Sequence, residues 1–531
     1  MNGLWEQVYT PIGGSLGLSA LVAALPIFTL LLLLGVLRKP AWMASVAGLA
    51  AAIVVAMGVY GMPLDRVVAA ITFGAAFGLF PIGWIVFSAI LLYRITLESG
   101  RFEVLKDSMG HLTDNPKLQA LLIAFAFGAF IEGAAGFGTP VAVAAAMLTG
   151  LGFTPFNAAA ICLLANTAPV AFGSIAIPIT TLAVTTGLPL DRLSAGVGRI
   201  CAPISLFVPA YLIAVMSGWS GLKSVLPAAA ACGIAFAGTQ FVVSNYIGPQ
   251  LTDILAALAA MGALLIVIRA SGSHGRQRHS AGELWLAWSP YILLVVFVLV
   301  WGIKPVQTQL AAFNIPVKWP GLHNTILRVA PVVSKSAPYA AVYNFTWLAA
   351  SGTACLFAAI LAAVVLKLRP AQFFRVAGET GRQLVKAELT LAIVLGLAML
   401  MNYSGSTGTL GLAFAATGVL FPFFSALLGW LGVFLTGSDT SANALFGTLQ
   451  VVTAEKLGQS PVLMAAANSA GGVMGKMISL TSIAVASAAT AMKRQDEALL
   501  FRFTLKHSVF LASMIGLLVM FYAYVMPSWQ P

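Results

Sequence analysis

Long apolar stretches without a charged residue recur along the chain, and they constrain its fold more than any other feature. Each can hold the roughly 20 apolar residues that cross a lipid bilayer as a helix. Two longer apolar blocks, 118–190 and 389–454, must each fold back at least once. The shorter stretches are residues 7–37, 40–64, 67–93, 200–222, 224–252, 284–303 and 336–366.

The composition also indicates a membrane protein. Hydrophobic residues make up 60% of the chain and charged residues 8%, whereas a soluble domain has about 25% charged residues. Transmembrane β-barrels show short segments of alternating polarity instead of continuous apolar runs. The sequence therefore predicts an all-α polytopic membrane protein with about 12 to 14 transmembrane helices.

The net charge of +12 does not indicate a nucleic-acid partner, because the basic residues form no single stripe. They lie in the loops between apolar stretches, as the positive-inside rule describes. Placing these loops in the cytoplasm puts both termini and the long segment 304–335 outside. The expected partner is the lipid bilayer. The basic groups fall in residues 38–39, 94–117, 269–278, 367–386 and 493–506.

A polar linker, residues 271–279, separates two parts of the chain that carry similar motifs. Residues 128–136 can be aligned with residues 432–440, and residues 165–168 can be aligned with residues 467–470. Transporters built from two structural repeats place interrupted helices at corresponding positions, with the substrate site between them. We therefore expect two related halves with broken or re-entrant helices. The predicted boundaries are 1–270 for the N-terminal half, 271–345 for the linker, one span and a long external loop, and 346–531 for the C-terminal half.

Three charged residues stand alone in apolar sequence: Glu132, Asp439 and Lys476. A charge at the bilayer centre costs at least about 2.5 to 3.5 kcal/mol, so it normally faces a cavity or a partner. One interpretation is a pair that only holds helices together. The functional interpretation is favoured because Asp439 has far more polar neighbours than a helix contact requires. These neighbours are Ser438, Thr440, Ser441 and Asn443.

The glycines beside Glu132 predict an unwound backbone. Gly133, Gly136 and Gly138 permit such a conformation and bring a ligand close to exposed N–H groups. The helix that begins near Thr139 would add the positive end of its dipole, which favours an anion. The alternative is close helix packing by small residues. Asn166 and Asn468, in the matching segments, complete the set of candidate binding residues.

Other kinds of site find little support in the sequence. The four cysteines are scattered in apolar sequence and the histidines lie in loops or at span ends, so no cluster predicts a metal site. No His-Glu-x-x-His motif is present, and Gly405-Ser-Thr-Gly408 has no convincing His or Lys partner. We expect neither an enzyme nor a bound cofactor.

Several long motifs, in this order, are characteristic of one family. They are Gly78-Leu-Phe-Pro-Ile-Gly-Trp84, Glu132-Gly-Ala-Ala-Gly-Phe-Gly138, Asn166-Thr-Ala-Pro-Val-Ala-Phe-Gly173, Gly429-Trp-Leu-Gly-Val-Phe-Leu-Thr-Gly-Ser-Asp-Thr-Ser441 and Gly471-Gly-Val-Met-Gly-Lys-Met-Ile-Ser479. The chain closely resembles the lactate permeases, bacterial plasma (inner) membrane carriers for L-lactate and related 2-hydroxy monocarboxylates. The resemblance implies proton-coupled uptake of L-lactate, with D-lactate and glycolate as further substrates. It leaves the oligomeric state open.

A mechanism follows for such an anion. Its accumulation against an inside-negative potential needs a co-transported cation, and Glu132 and Asp439 are the candidate proton carriers. A carboxyl group removed from water favours its neutral form, and a nearby anion favours that form further. The N–H groups of residues 136–139 and Lys476 would hold the substrate carboxylate, while Asn166, Asn443 or Asn468 would bond its hydroxyl. The alternative is sodium coupling, with Asp439 and backbone carbonyls as ion ligands.

Overall fold

The computed structural model of the chain describes residues 4–136, 138–271, 279–333 and 335–530. Within these residues, 11 helices are long and apolar enough to cross a membrane, or up to 12 if a bent pair counts as one span. The all-α polytopic architecture is confirmed, with a span count at the low end of the expected range. The helices are Leu16–Val36, Ala41–Gly58, Leu64–Glu98, Pro116–Ala134, Leu190–Tyr246, Thr252–Ala270, Ala281–Gly302, Pro370–Ser404, Ser406–Thr436, Pro461–Ala489 and Asp496–Tyr524.

Several further helices complete the bundle or flank it. The bent pair is Pro155–Ala165 with Val170–Thr186, at an angle of 66°. Leu190–Tyr246 has 57 residues, more than twice the roughly 20 that a span needs. Its backbone leaves the helical conformation at Gly218 and Val225, so this one helix of the count is long enough to cross the membrane twice. The remaining helices include Arg101–Gly110, Thr139–Gly150, Lys304–Ala311, Ser351–Val365 and Asp439–Leu457.

A small β cap, which the sequence did not predict, covers one end of the molecule. Trp5–Glu6 pairs in parallel with Ile326–Arg328, which pairs antiparallel with Ala337–Pro338. A second ladder joins Ile315–Lys318 to Val342–Phe345. The N-terminal segment and the long loop therefore lie at the same end of the molecule, as the predicted topology requires. The predicted linker lies largely in residues 272–278, outside the described residues.

Four interrupted segments form the middle of the fold. The first hairpin (residues 116–150) breaks after Ala134, and the second hairpin (residues 421–457) breaks after Thr436. The first broken helix (residues 155–186) and the second broken helix (residues 461–489) each follow their hairpin directly. The prediction of broken or re-entrant helices is confirmed.

The two hairpins enter from opposite ends of the molecule. At the base of the first, Leu151 lies against Gly110, and the ring of Phe156 is 5.7 Å from that of Phe503. At the base of the second, Tyr524 donates a hydrogen bond to the Val419 carbonyl and accepts one from Gln459. Phe503 and Tyr524 lie on one helix, about 30 Å apart along its axis. The hairpins therefore point toward each other.

Contacts between the halves follow an exchanged pattern. Thr139–Gly150 of the first hairpin packs against Leu480–Ala489 of the second broken helix. Likewise, Asp439–Leu457 of the second hairpin packs against Gly173–Thr186 of the first broken helix. Two related halves of opposite orientation would make this pairing. The residue boundaries of the two halves stay a prediction.

A glycine seam fixes the second hairpin to the second broken helix. A Cβ on Gly471 would lie 2.0 Å from the carbonyl oxygen of Ala426, and one on Gly475 would lie 2.3 Å from that of Trp430. Gly429 approaches the Asn468 carbonyl in the same way, at 1.8 Å. Because lipid tails are as apolar as leucine, close packing of this kind is what holds helices together in a bilayer.

Candidate functional site

A cavity of about 240 Å³ lies where the interrupted segments converge, and we call it the central cavity. Both halves of the chain line it, together with the helix Pro370–Ser404. Among the described lining residues, the titratable ones are Glu132, Glu388, Asp439 and Lys476. The central cavity is therefore bounded by three carboxyl groups and one ammonium group. The polar residues beside them are Ser174, Thr436, Ser438, Thr440 and Ser441.

The break in the second hairpin follows from its local sequence. Gly437 has φ 73° and ends the preceding helix, a conformation that glycine adopts without strain. Ser438 then caps the next helix, because its hydroxyl accepts a hydrogen bond from the Ser441 N–H. Asp439 is the first residue of that helix. The N-terminus of a 19-residue helix, and the positive end of its dipole, thus faces the cavity.

One oxygen of the Asp439 carboxyl group is hydrogen-bonded and the other has no partner among the described residues. Its Oδ2 accepts hydrogen bonds from the Ser469 hydroxyl at 2.6 Å and the Asn443 amide at 3.3 Å. Its Oδ1 has no hydrogen-bond partner among the described residues. Asp439 is only 3% exposed, and this oxygen lies against Gly472 of the second broken helix, so it is shielded from bulk water.

Asn443 and Asn468 do not line the cavity. They form a hydrogen-bond network that holds Asp439 on the side away from the cavity. Asn443 donates to the Pro178 carbonyl in the first broken helix and accepts from the Asn468 amide. Asn468 in turn accepts from Gln450. Both amides are buried and use their hydrogen-bonding groups within the protein. They join the two halves around Asp439.

Lys476 ends the first part of the second broken helix and faces both predicted carboxyl groups. Its Nζ donates to the Gly437 carbonyl at 2.7 Å, an acceptor that the helix break leaves free. Its charge interacts with those of Glu132 and Asp439. The ammonium group therefore lies between the two halves of the site.

Glu132 lies on the opposite side of the cavity, near the end of the first hairpin's incoming helix. It is 4% exposed, and its Oε2 has no hydrogen-bond partner in the described part of the chain. Gly173 approaches so closely that a Cβ there would lie 2.6 Å from Oε1. The Asn166 amide faces Glu132, yet neither of its polar atoms has a partner of normal hydrogen-bond geometry among the described residues.

The predicted glycines of the first hairpin lie at its tip, next to the cavity but not among its described lining residues. Gly136 and Gly138 have φ values of 59° and 82°, so the unwound backbone is present. Gly133 packs against Asp253, with 3.0 Å between its Cβ position and the Asp253 Cβ. Thr139 donates its N–H to the Gly136 carbonyl. Phe137 lies outside the described residues.

Sequence reasoning missed several residues of the cavity. Glu388 was not among the predicted binding residues; it lies within Pro370–Ser404, and its side chain lies against Gly83 and lines the cavity. Ser174 was not singled out, although it begins a left-handed turn with Ile175 and Ala176, at φ 48°, 57° and 59°. The Ser174 hydroxyl donates to the Ala135 carbonyl and so ties this turn to the first hairpin. Pro178, four residues later, was the available signal of a broken helix.

A larger cleft of about 820 Å³ adjoins the central cavity. The two share Ala41, Thr436 and Gly437 as lining residues. The cleft also contains Arg38 and Arg502, and we call it the basic cleft. Arg502 lies one residue from Phe503, so the basic cleft opens at the end where the first hairpin enters. The basic cleft therefore lies between that end of the molecule and the central cavity.

Known proteins resemble this chain over nearly its whole length. A family model described as L-lactate permease matches residues 19–526. The glycolate permease GlcA of Escherichia coli (strain K12) is 44% identical, with 98% of each chain covered. The L-lactate permease of Bacillus subtilis (strain 168) is also 44% identical, with 99% of each chain covered. A solved structure, the YdaH transporter of Alcanivorax borkumensis, matches at 15% identity over 86% of this chain and 87% of that chain, with a TM-score of 0.46.

Proposed function

Because this chain belongs to the L-lactate permease family, we propose that it imports L-lactate and related 2-hydroxy monocarboxylates with protons across the bacterial inner membrane. D-lactate and glycolate are the further substrates. The names of its relatives, an L-lactate permease and a glycolate permease, support this substrate class. The coupling ion is argued from the cavity.

The charge balance of the central cavity carries the proton proposal. With every group ionised, the three described carboxyl groups outweigh the single ammonium group of Lys476. A monocarboxylate would then enter a site that is already negative, and like charges in a dry site repel strongly. Protons on the carboxyl groups remove this repulsion. Substrate binding and protonation therefore favour each other, which is what symport requires.

Substrate binding is assigned to the two positive features of the cavity. The ammonium group of Lys476 and the helix N-terminus at residues 438–441 both attract the carboxylate. Ser174, Thr440 and Ser441 are the nearby hydroxyl groups for the 2-hydroxyl. Of the N–H groups at residues 136–139, that of Gly138 remains a second candidate for the carboxylate, because those of Gly136 and Thr139 already donate to the Ile131 and Gly136 carbonyls. Glu132 and Asp439 carry the protons.

The direction of access follows from the basic cleft. The positive-inside rule assigns the end with Arg38 and Lys39 to the cytoplasm, so a cavity open toward that end is an inward-facing state. Import then requires an outward-facing state, in which the two halves move relative to each other. The β cap lies at the external end in this assignment.

Uptake of labelled L-lactate into right-side-out proteoliposomes tests the proposal. We expect accumulation when the outside is more acidic than the lumen and none from an inward sodium gradient at equal pH. Accumulation driven by sodium at equal pH, without a response to the proton gradient, would contradict proton coupling.

Competition tests the substrate class. D-lactate and glycolate should compete with L-lactate better than acetate does, because acetate lacks the hydroxyl group. Equal competition by acetate would contradict recognition of the 2-hydroxyl.

A further inference from the structure

A second buried carboxyl group lies behind Glu132, away from the central cavity. Asp253, near the start of Thr252–Ala270, is 1% exposed. Neither of its oxygens has a hydrogen-bond partner among the described residues. Its Cβ packs against Gly133, the neighbour of Glu132, and the two carboxyl charges interact. Sequence analysis did not single it out, because Asp253 follows an apolar stretch and looks like an ordinary helix-start acid.

The groups that face Asp253 offer no compensating positive charge. Thr252–Ala270 packs against Gly128–Ala134, against the π-helical segment Ala120–Phe127 and against Leu190–Tyr246. Gly128–Ala134 contributes Glu132, and Ala120–Phe127 contributes only apolar side chains. Leu190–Tyr246 contributes the Cys201 thiol, which lies near both Asp253 and Asp439. On its own helix, Arg269 lies at the far end.

The charged groups next to these also leave Asp253 uncompensated. Lys476 faces Glu132 across the cavity. Arg199, on Leu190–Tyr246, is engaged by Asn245 and by the Trp529 carbonyl.

Two unsatisfied amides lie at the same place. Asn166 is 5% exposed and faces Glu132, and both of its side-chain polar atoms lack a hydrogen-bond partner among the described residues. Gln240 is fully buried and donates to the Ala168 carbonyl, in the same break of the first broken helix. Its Oε1 is also without a partner in the described part of the chain. Buried polar groups are normally satisfied, so these amides leave unused hydrogen-bonding atoms at the break of the first broken helix, beside Glu132.

Two ionised carboxyl groups side by side in a dry interior repel each other and lose their hydration. A single proton on the pair removes one of the two charges and with it the repulsion, as in other buried carboxyl pairs. We propose that Glu132 and Asp253 form a proton-binding site behind the central cavity, and that Asp253 is required for coupling. The proposal rests on the proton symport proposed above. It adds Asp253 as a proton-binding residue that does not contact the substrate.

The arrangement has a simple consequence for transport. Glu132 lines the cavity and also neighbours Asp253, so a proton bound by the pair sits one residue away from the substrate. The proton enters from water on the outer side, is held between the two carboxyl oxygens, and leaves to water on the inner side with the substrate. No other bond changes.

The test compares two modes of transport in Asp253→Asn. This isosteric change removes the titratable group but keeps the packing against Gly133. We expect proton-driven accumulation of L-lactate to fall at least about tenfold, equivalent to about 1.4 kcal/mol. Exchange of labelled for unlabelled L-lactate across the membrane should persist, because exchange needs no net proton movement. Asp253→Glu should restore part of the accumulation.

Thr252→Val is the matched control. It changes the adjacent buried residue, whose hydroxyl donates to the Gly248 carbonyl, and it should leave accumulation near the wild-type level. Wild-type accumulation by Asp253→Asn overturns the proposal, as does a sodium requirement that appears in the wild type and vanishes in this variant. Absence of proton-driven uptake in the wild type itself would instead contradict the proposed function.

Infrared difference spectroscopy of the purified protein gives a second readout that does not depend on the Asn variant reaching the membrane. The wild type should show the band of a protonated carboxyl group that changes on adding L-lactate, and Asp253→Glu should shift it. A spectrum that Asp253→Glu leaves unchanged overturns the proposal.

Discussion

At the residue scale, Asp439 is the group whose surroundings are best defined. Ser469 and Asn443 fix one carboxyl oxygen, while the other meets no partner among the described residues. A group held this way keeps its orientation whether or not it carries a proton. Under the proposed proton symport, the unpaired oxygen is the one that would gain and lose the proton.

Replacement of the two cavity carboxyls should separate coupling from binding. In Asp439→Asn and in Glu132→Gln, we expect proton-driven accumulation of L-lactate to fall at least about tenfold, equivalent to about 1.4 kcal/mol. Exchange should survive, because the amide keeps the size of the side chain. Ser513→Ala, on the exposed side of the last helix, is the control. If both variants accumulate L-lactate uphill at wild-type rates, the proton assignment is wrong.

The sequence identified the charged residues of the cavity because a lone charge in apolar sequence is costly. Glu132, Asp439 and Lys476 all line the cavity. Asp253 and Glu388 were not among the predicted site residues, because each has polar residues near it in sequence and only the packing shows that they are buried or cavity-facing. The role of Asn443 and Asn468 as supports for Asp439 depends on contacts between helices, which a sequence pattern does not show.

At the element scale, the interrupted helices are fixed by glycine at two kinds of position. Gly437 takes a left-handed conformation at a break, whereas Gly475 allows two helix backbones to approach. Sequence analysis predicted the breaks from glycine and proline. It did not predict which hairpin enters from which end, because that depends on contacts at the hairpin bases such as Phe156 with Phe503.

The glycine seam should not tolerate a methyl group. In Gly475→Ala, the new Cβ would meet the Trp430 carbonyl at 2.3 Å, and we expect destabilisation of about 1–3 kcal/mol, typical of overpacking. Gly262→Ala is the matched control, since no atom lies within 4 Å of its Cβ position. Thermal unfolding in detergent should show a lower Tm for Gly475→Ala alone. An unchanged Tm would contradict the close approach.

In the left-handed turn at Ser174–Ala176, a substitution by glycine should stabilise the protein. A left-handed residue other than glycine costs roughly 1–2 kcal/mol, so Ala176→Gly should raise stability by up to about 1 kcal/mol after the flexibility of glycine in the unfolded chain is counted. Ala183→Gly, in the regular part of the same helix, should lower it by about 1 kcal/mol. Equal destabilisation by both changes would contradict the turn.

At the scale of the whole molecule, the basic cleft and the β cap mark opposite ends. The cleft contains Arg38 and Arg502. The cap contains Arg328, whose charge interacts with Glu455 near the base of the second hairpin. This polarity explains why the distribution of basic residues alone predicted a consistent topology. The order of the strands in the cap could not be predicted, because the strands are short and one of them, Trp5–Glu6, pairs across more than 300 residues of chain.

Thiol labelling should report the two ends separately. The four native cysteines are buried, so they give little background. Thr481→Cys, in the basic cleft, should react with a membrane-impermeant reagent added from the cytoplasmic side. Gln309→Cys, exposed beside the β cap, should react with the same reagent added from the outside. Equal reaction of Thr481→Cys from both sides would contradict the inward-facing assignment.

The opposed hairpins also shape the electric field. Under the proposed inward-facing assignment, water in the basic cleft, which reaches Gly437, would bring the cytoplasmic potential to that point, so most of the membrane voltage would fall across the protein between the cavity and the other side. Each elementary charge gains about 2.3 kcal/mol per 100 mV when it crosses that layer. In the proposed mechanism, a small movement of the hairpin tips past the anion and its protons would carry them through most of the voltage.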